Sequence, residues 1–266
     1  MKCTVLGGKG FIGHHLVDYL ESVGCDVFVS DRNDPKLFKQ PLGHVFYCIG
    51  LTGDFRSRSF DTVQAHVTVL SEVLEHADFD SFLYLSSTRV YSRSSTTDED
   101  NILSVLPSDP SDLYNLSKLM GESLCLSSLK KKVRVARLSN VVGAKMGPDN
   151  LVGGLLQEAC SGLIRLKTHP ESVKDYILIN DVVQILWLIA NDGRERIYNV
   201  ASGIQTAHYQ WLGALQEVTS CDVQIDPQAP FQSFPIIEIQ RIQKEFGYNC
   251  APVLDVIPQL VKLLGK

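Results

Sequence analysis

A chain of 266 residues with 44% hydrophobic content can bury a substantial core in one or two lobes. Its net charge of −5 offers no attraction for nucleic acid or an anionic bilayer, no apolar run approaches a membrane span, and the first residues lead straight into a strand rather than a signal peptide. The seven cysteines contain no Cys-x-x-Cys pair and the seven histidines are scattered apart from His14-His15, so we expect free thiols in a reducing cytoplasm, no disulfides and no metal site.

In chain order, residues 3–6 read as a short buried strand, followed by Gly7-Gly8-Lys9-Gly10-Phe11-Ile12-Gly13 and by a helix on which Ile12, Leu16, Leu20 and Val23 share one face. Strand, glycine turn and helix make a dinucleotide cradle: Gly7 for the sharp turn, Gly10 for close approach to a pyrophosphate, Gly13 for helix-to-strand packing, and the free N–H groups and positive end of the helix for the anion. Gly24 is placed to end that helix in a left-handed cap. Residues 26–30 then form a second strand ending in Asp31, near where an acidic side chain accepts hydrogen bonds from an adenosine ribose.

Further along, residues 45–49 read as a strand, 61–77 as a long amphipathic helix, 82–85 as a strand, 112–126 as a helix and 133–138 as a strand. This alternation predicts an α/β fold, a Rossmann-like doubly wound parallel sheet whose strand ends gather Gly7, Asp31, Gly50, Ser87 and Ser139 at one crevice. We expect a dinucleotide-binding domain over residues 1–143. Beyond it the chain is less regular and punctuated by prolines, which reads as a smaller substrate lobe over 144–266, with residues 181–189 returning as a helix to the main sheet.

The chemistry-bearing residues are Ser87, closing a serine-rich strand end, and Tyr114 and Lys118, one helical turn apart on a common face. A phenol with a pKa near 10 is a poor base at neutral pH, and a neighbouring ammonium stabilises its ionised form. A hydroxyl at the strand end can orient the same reacting oxygen.

Together with the glycine turn, the segments Ser86-Ser87-Thr88-Arg89-Val90-Tyr91, Tyr114-x-x-x-Lys118, Arg137-Leu138-Ser139-Asn140-Val141-Val142-Gly143, Lys174-Asp175-Tyr176-Ile177, Tyr198-Asn199-Val200 and Gln243-Lys244-Glu245-Phe246-Gly247 resemble the extended short-chain dehydrogenase/reductases, specifically the nucleotide-sugar epimerase/dehydratase group. The resemblance covers nearly the whole chain. It implies a catalytic trio of Ser87, Tyr114 and Lys118. It implies a cofactor site of Gly7, Gly10, Phe11, Ile12, Gly13, Asp31, Arg32, Gly50 and Ser139, and substrate contacts from Thr88, Asn140 and Lys174. The implied cofactor is NAD, with NADP as the alternative because Arg32 can receive a 2′-phosphate. A homodimer through the helices 61–77 and 112–126 is implied as well.

Three departures from the group's pattern carry information. Only residues 32–44 lie between the second strand and the next, too few for a strand-helix crossover, so one edge strand should be missing. Thr88 and Arg89 stand where the group's 4,6-dehydratases carry an acidic pair, which disfavours dehydration. Lys174 stands where an arginine usually grips the diphosphate, and residues 226–239 hold no basic side chain. The chain therefore reads as an NAD(P)-dependent epimerase acting on a nucleotide-sugar or related sugar through a transient ketone. A reductase of a keto-sugar and a non-catalytic dinucleotide-binding protein are the alternatives.

Overall fold

The structure is a computed structural model and describes residues 1–31, 34–51, 53–130 and 132–264. The opening apolar run forms β1 (Lys2–Leu6), buried as a central parallel strand must be, and Gly7 (φ +84°) turns the chain into α1 (Phe11–Ser22). Gly24 (φ +83°) ends that helix in left-handed backbone, and the Cys25 N–H reaches back 3.0 Å to the Leu20 carbonyl. β2 (Asp26–Ser30) lies parallel to one side of β1. The chain then passes through a single 3₁₀ turn, Pro35–Phe38, capped by the Asp34 carboxylate accepting from the Lys36 N–H at 2.9 Å, and enters β3 (His44–Tyr47) on the other side of β1.

After β3 comes a helical segment in three parts: α2 (Ser59–Val63), a π turn over Gln64–Thr68, and α3 (Val69–His76). The expected single helix over 61–77 therefore begins earlier and contains a wider turn, where the Val69 N–H reaches Gln64. β4 (Ser81–Ser87), a 3₁₀ turn (Thr88–Tyr91), α4 (Asp112–Ser127) and β5 (Val133–Leu138) follow. Next are β6 (Asn140–Val142), α5 (Leu151–Cys160), β7 (Leu163–Leu166), β8 (Val173–Leu178), α6 (Ile179–Asp192) and β9 (Ile197–Val200). β10 (Gln205–Ala207), α7 (His208–Thr219), β11 (Asp222–Ile225), α8 (Gln240–Phe246) and α9 (Ile257–Leu264) complete the chain.

The main sheet has six parallel strands in the order β2-β1-β3-β4-β5-β9, so β2 is an edge, as the short link to β3 requires. On one face α1 and α6 bury Leu16, Leu20, Val182, Ile185 and Ile189, and on the other α3 and α4 bury Leu70, Val73 and Cys125 against Tyr47, Phe82 and Tyr84. The return of the chain as a helix is thus longer than expected and is followed by a sheet strand, β9. A separate apolar cluster gathers Leu155, Leu156, Tyr176, Trp211, Leu215 and Leu260 from α5, β8, α7 and α9. β10-β8-β6 and β11-β7 form two smaller sheets. The cysteines are all unpaired, with Cys3, Cys125 and Cys221 buried. No described helix is long and apolar enough to cross a membrane.

A buried polar network fastens α4 to the sheet. The Arg137 guanidinium on β5 donates to both Glu122 carboxylate oxygens, at 2.7 Å from Nη2 and 3.0 Å from Nε, and to the Tyr91 hydroxyl at 2.7 Å. Ser86 Oγ donates to Glu122 as well, and the Tyr91 hydroxyl donates to Asn199 Oδ1 at 2.9 Å. Burial opposes the charge on Arg137, but its bonds to Glu122 outweigh that and hold the guanidinium pKa above its usual value. Beside this anchor the helix comes close to the sheet: a Cβ on Gly121 would run into the Tyr84 hydroxyl. Arg137→Met leaves Glu122 buried without its cation, so urea unfolding at pH 7 is expected to show a loss of roughly 3–5 kcal/mol. A loss under about 1 kcal/mol would mean the pair does not hold α4.

Candidate active site

A cleft of about 400 Å³ opens where the parallel strands end. Its cofactor-side wall is the start of α1. Gly10 is the N-cap, its N–H bonded to the Gly7 carbonyl at 3.0 Å, and a Cβ on Gly13 would run into that same carbonyl. Phe11, Ile12 and Gly13 line the cleft, and as first-turn residues their N–H groups have no partner inside the helix. Glycines that exclude side chains and a helix N-terminus aimed at the gap fit the pyrophosphate of a dinucleotide. Gly50, beyond the end of β3, and Ser139, beyond the end of β5, line the same cleft on either side of β4.

Gly7 shapes this turn from behind and is not part of the lining, and Asp31 stands outside it as well, exposed at the end of β2 and ion-paired with an equally exposed Lys9. Arg32 lies outside the described residues.

Opposite α1, β4 ends at Ser87, whose Oγ caps the following 3₁₀ turn by accepting the Arg89 N–H at 3.2 Å. α4 brings Tyr114, 5% exposed, and Lys118 to the floor. Burial holds the Tyr114 pKa above its ordinary value, and the Ser87 hydroxyl and then the Arg89 charge offset only part of that rise. The positive charge acting on Tyr114 in this structure is that of Arg89. The Lys118 ammonium donates to the Leu85 carbonyl at 2.9 Å, lies 6.0 Å from the Tyr114 ring centre, and is itself pushed down to about 7 by burial. Thr88, Asn140 and Lys174 complete the predicted lining, Asn140 Nδ2 donating to the Asp175 carbonyl at 2.8 Å.

Three residues that the sequence reading did not place at the site are also here. His66, on the π turn, meets the Tyr114 ring edge-on at 5.3 Å. Its Nε2 accepts from the Leu51 N–H at 3.2 Å, so Nδ1 carries the proton and donates to Ser117 Oγ at 2.8 Å, and Ser117 in turn donates to the Tyr114 carbonyl. Phe55, from the loop after β3, packs against the Tyr114 ring at 5.2 Å. The Arg89 guanidinium lies over both rings, 5.2 Å from Phe55 and 5.8 Å from Tyr114. A histidine in the buried stripe of a helix was the one local signal available for His66. Phe55 reaches the site through long-range packing, whereas Arg89 arrives with the turn that Ser87 caps.

A model of the NAD dependent epimerase/dehydratase family matches residues 3–201. A protein of Haloferax volcanii described as low-salt glycan biosynthesis protein Agl12 is 26% identical over 259 residues, covering 79% of this chain and 80% of its own. Among solved structures, an NAD dependent NDP-hexosamine 5,6-dehydratase, TunA, involved in tunicamycin biosynthesis, superposes with a TM-score of 0.85 at 20% identity over 99% of this chain and 97% of its own. A UDP-glucuronic acid 4-epimerase from Bacillus cereus, solved with UDP-glucuronic acid and NAD, superposes with a TM-score of 0.80 at 19% identity over 99% of this chain and 100% of its own. At these identities the superpositions speak for the fold.

The burial of His66 has a consequence for stability. Burial first, and the Lys118 charge second, push its pKa down to about 2, against an ordinary value near 6.5 in the unfolded chain. The unfolded state therefore takes up the extra proton, and stability that is present above pH 6.5 is lost as pH falls toward the folded value. Urea unfolding at pH 7 and pH 5 is expected to show wild type losing about 2 kcal/mol more than His66→Asn across that interval. Equal losses would mean that the imidazole is not held neutral.

Proposed function

The chain belongs to the NAD dependent epimerase/dehydratase family, and on that premise we propose that it is an NAD-dependent epimerase that inverts a carbinol of a nucleotide-sugar or related sugar through a transient ketone. The observation that carries this reading is the placement of a buried Tyr114 between Ser87 and Arg89 in a cleft whose described lining contains no aspartate or glutamate. Elimination of water needs a general acid beside the leaving hydroxyl. Thr88 and Arg89 occupy that turn, and neither is one.

In this reading Phe11, Ile12 and Gly13 hold the cofactor's pyrophosphate at the start of α1, Gly10 lets it approach, and Gly50 and Ser139 flank the nicotinamide half. Asp31, once released from its exposed partner Lys9, receives the adenosine ribose and disfavours a 2′-phosphate, so NAD is favoured over NADP. When bound, NAD supplies a reversible two-electron oxidation of the carbinol. Tyr114 takes the proton from the carbinol oxygen and returns it, Ser87 hydrogen-bonds the same oxygen and orients it, and Lys118 positions the ribose beside them. Thr88, Asn140 and Lys174 hold the substrate. Reduction of a keto-sugar would use the same trio with a cofactor that leaves between turnovers. The missing strand beyond β2, which removes a wall from the adenine side, is the feature that favours this second reading.

Phe60 (90% exposed) on α2 and Met120 (54% exposed) on α4 leave apolar side chains in solvent on these two helices, and we propose a homodimer through them. Light scattering at micromolar concentration is expected to give twice the 29.5 kDa chain mass, and the single-chain mass would refute the assignment.

Mass spectrometry of the purified, denatured protein is expected to release NAD, as a self-recycling epimerase retains it, and an empty protein that binds reduced cofactor on demand would shift the assignment to the reductase. Tyr114→Phe should keep cofactor binding and lose roughly 10²–10⁴-fold in turnover, because only the proton relay is removed. Turnover near that of wild type would sink the trio.

A further inference from the structure

Among the described residues, three cations and no carboxylate line the cleft: Arg89, Lys118 and Lys174. Lys118 is accounted for by its bond to the Leu85 carbonyl. Arg89 is not. Its Nε is buried without a hydrogen-bond partner, and among the described residues the guanidinium makes no ion pair, only its contacts over the Phe55 and Tyr114 rings. The acids nearest to it are committed elsewhere, Asp112 and Asp109 both being held by Arg93, the former at 2.7 Å. The Arg56 guanidinium lies 4.6 Å from the centre of the same Phe55 ring, and its charge acts on Arg89.

Lys174 reaches the cleft from β8, and after burial the largest influence lowering its pKa is the charge on Arg89. Arg89 is lowered in the same way, by burial first and Arg56 second. Like charges packed together and partly desolvated, with no anion from the protein to balance them, cost free energy that a bound anion recovers. The position of Arg89 says where that anion sits. It follows Ser87 by two residues and its guanidinium lies 5.8 Å from the centre of the Tyr114 ring, beside the groups that handle the reacting carbinol. A nucleotide diphosphate is separated from the reacting carbon by the sugar itself.

We infer that Arg89 and Lys174 form a seat for a carboxylate carried on the sugar ring, so that the substrate is a uronate rather than a neutral hexose. The planar guanidinium presents paired donors that match a carboxylate, and Lys174, lining the same cleft from β8, adds a point charge. The inference rests on the sugar-epimerase reading above and specifies its substrate class.

The test uses the NAD-loaded protein and matched probes that differ only in the carboxylate: UDP-glucuronic acid against UDP-glucose by calorimetry, and free glucuronate against glucose by ligand-observed NMR. The expected result is at least a tenfold preference for the carboxylate in one pair or both, falling to less than threefold in Arg89→Gln, with NAD affinity and circular dichroism unchanged and partial retention in Arg89→Lys. Equal binding of UDP-glucuronic acid and UDP-glucose, with no preference between the free sugars, overturns the seat and leaves the nucleotide-sugar reading standing. Preference for free glucuronate with neither UDP-sugar bound upholds the seat and tells against a UDP-linked substrate. A carboxylate preference that survives Arg89→Gln also overturns the seat. So does a change confined to the pH profile of turnover, which would give Arg89 the sole task of tuning Tyr114.

Discussion

The ion pair between Arg137 and Glu122 is the constraint on which the geometry of the cleft depends. Tyr114, Lys118 and Glu122 succeed one another at one-turn intervals along α4, so fixing the last of them against β5 sets the depth and rotation of the other two. Such a buried pair adds little net stability compared with apolar packing, because both charges have left water. Its effect is on register. A helix held only by its apolar stripe, with Cys125 as its contribution to one face of the sheet, can slide or roll by a fraction of a turn at small cost, whereas a guanidinium with both carboxylate oxygens and a tyrosine hydroxyl to satisfy has one arrangement. Gly121 reinforces this by letting the backbone of α4 approach Tyr84.

The electrostatics of the molecule divide in two. The chain is acidic overall, yet the described lining of its cleft is wholly cationic among charged groups. Net charge alone would suggest indifference to anions, and the local arrangement reverses this. The walls that exclude water also strengthen each of these charges, so a small number of residues decides what enters.

How much of this was legible in the sequence follows from the range of the forces involved. The glycine turn at Gly7 to Gly13, the strand ending at Ser87 and the pair Tyr114 and Lys118 are local patterns, each set by backbone sterics or helical periodicity within a few residues, and the cleft brings nearly all of them together. The missing edge strand was readable because chain length bounds what a connection can hold. The direction of the Lys118 side chain was not, since the Leu85 carbonyl that captures it comes from a different element. The same holds for His66, whose partners Leu51 and Ser117 lie on a loop and on another helix, and for Phe55, whose ring partner Tyr114 comes from another element. Arg89 was noticed only as the absence of an acid. Its positive role appears once the neighbouring carboxylates are seen to be occupied by Arg93.

The π turn at Gln64–Thr68 bears on how such a chain can change over generations. A π turn accommodates one residue more than the α-helix around it, and removing that residue would rotate everything on one side of it by about 100° relative to the other. In an uninterrupted helix, His66 would swing away from Leu51 and Ser117 or the apolar stripe of α3 would turn off the sheet. The extra residue is thus hard to lose by descent, since its deletion would misplace either His66 or the apolar stripe of α3, whatever residue stands at position 66.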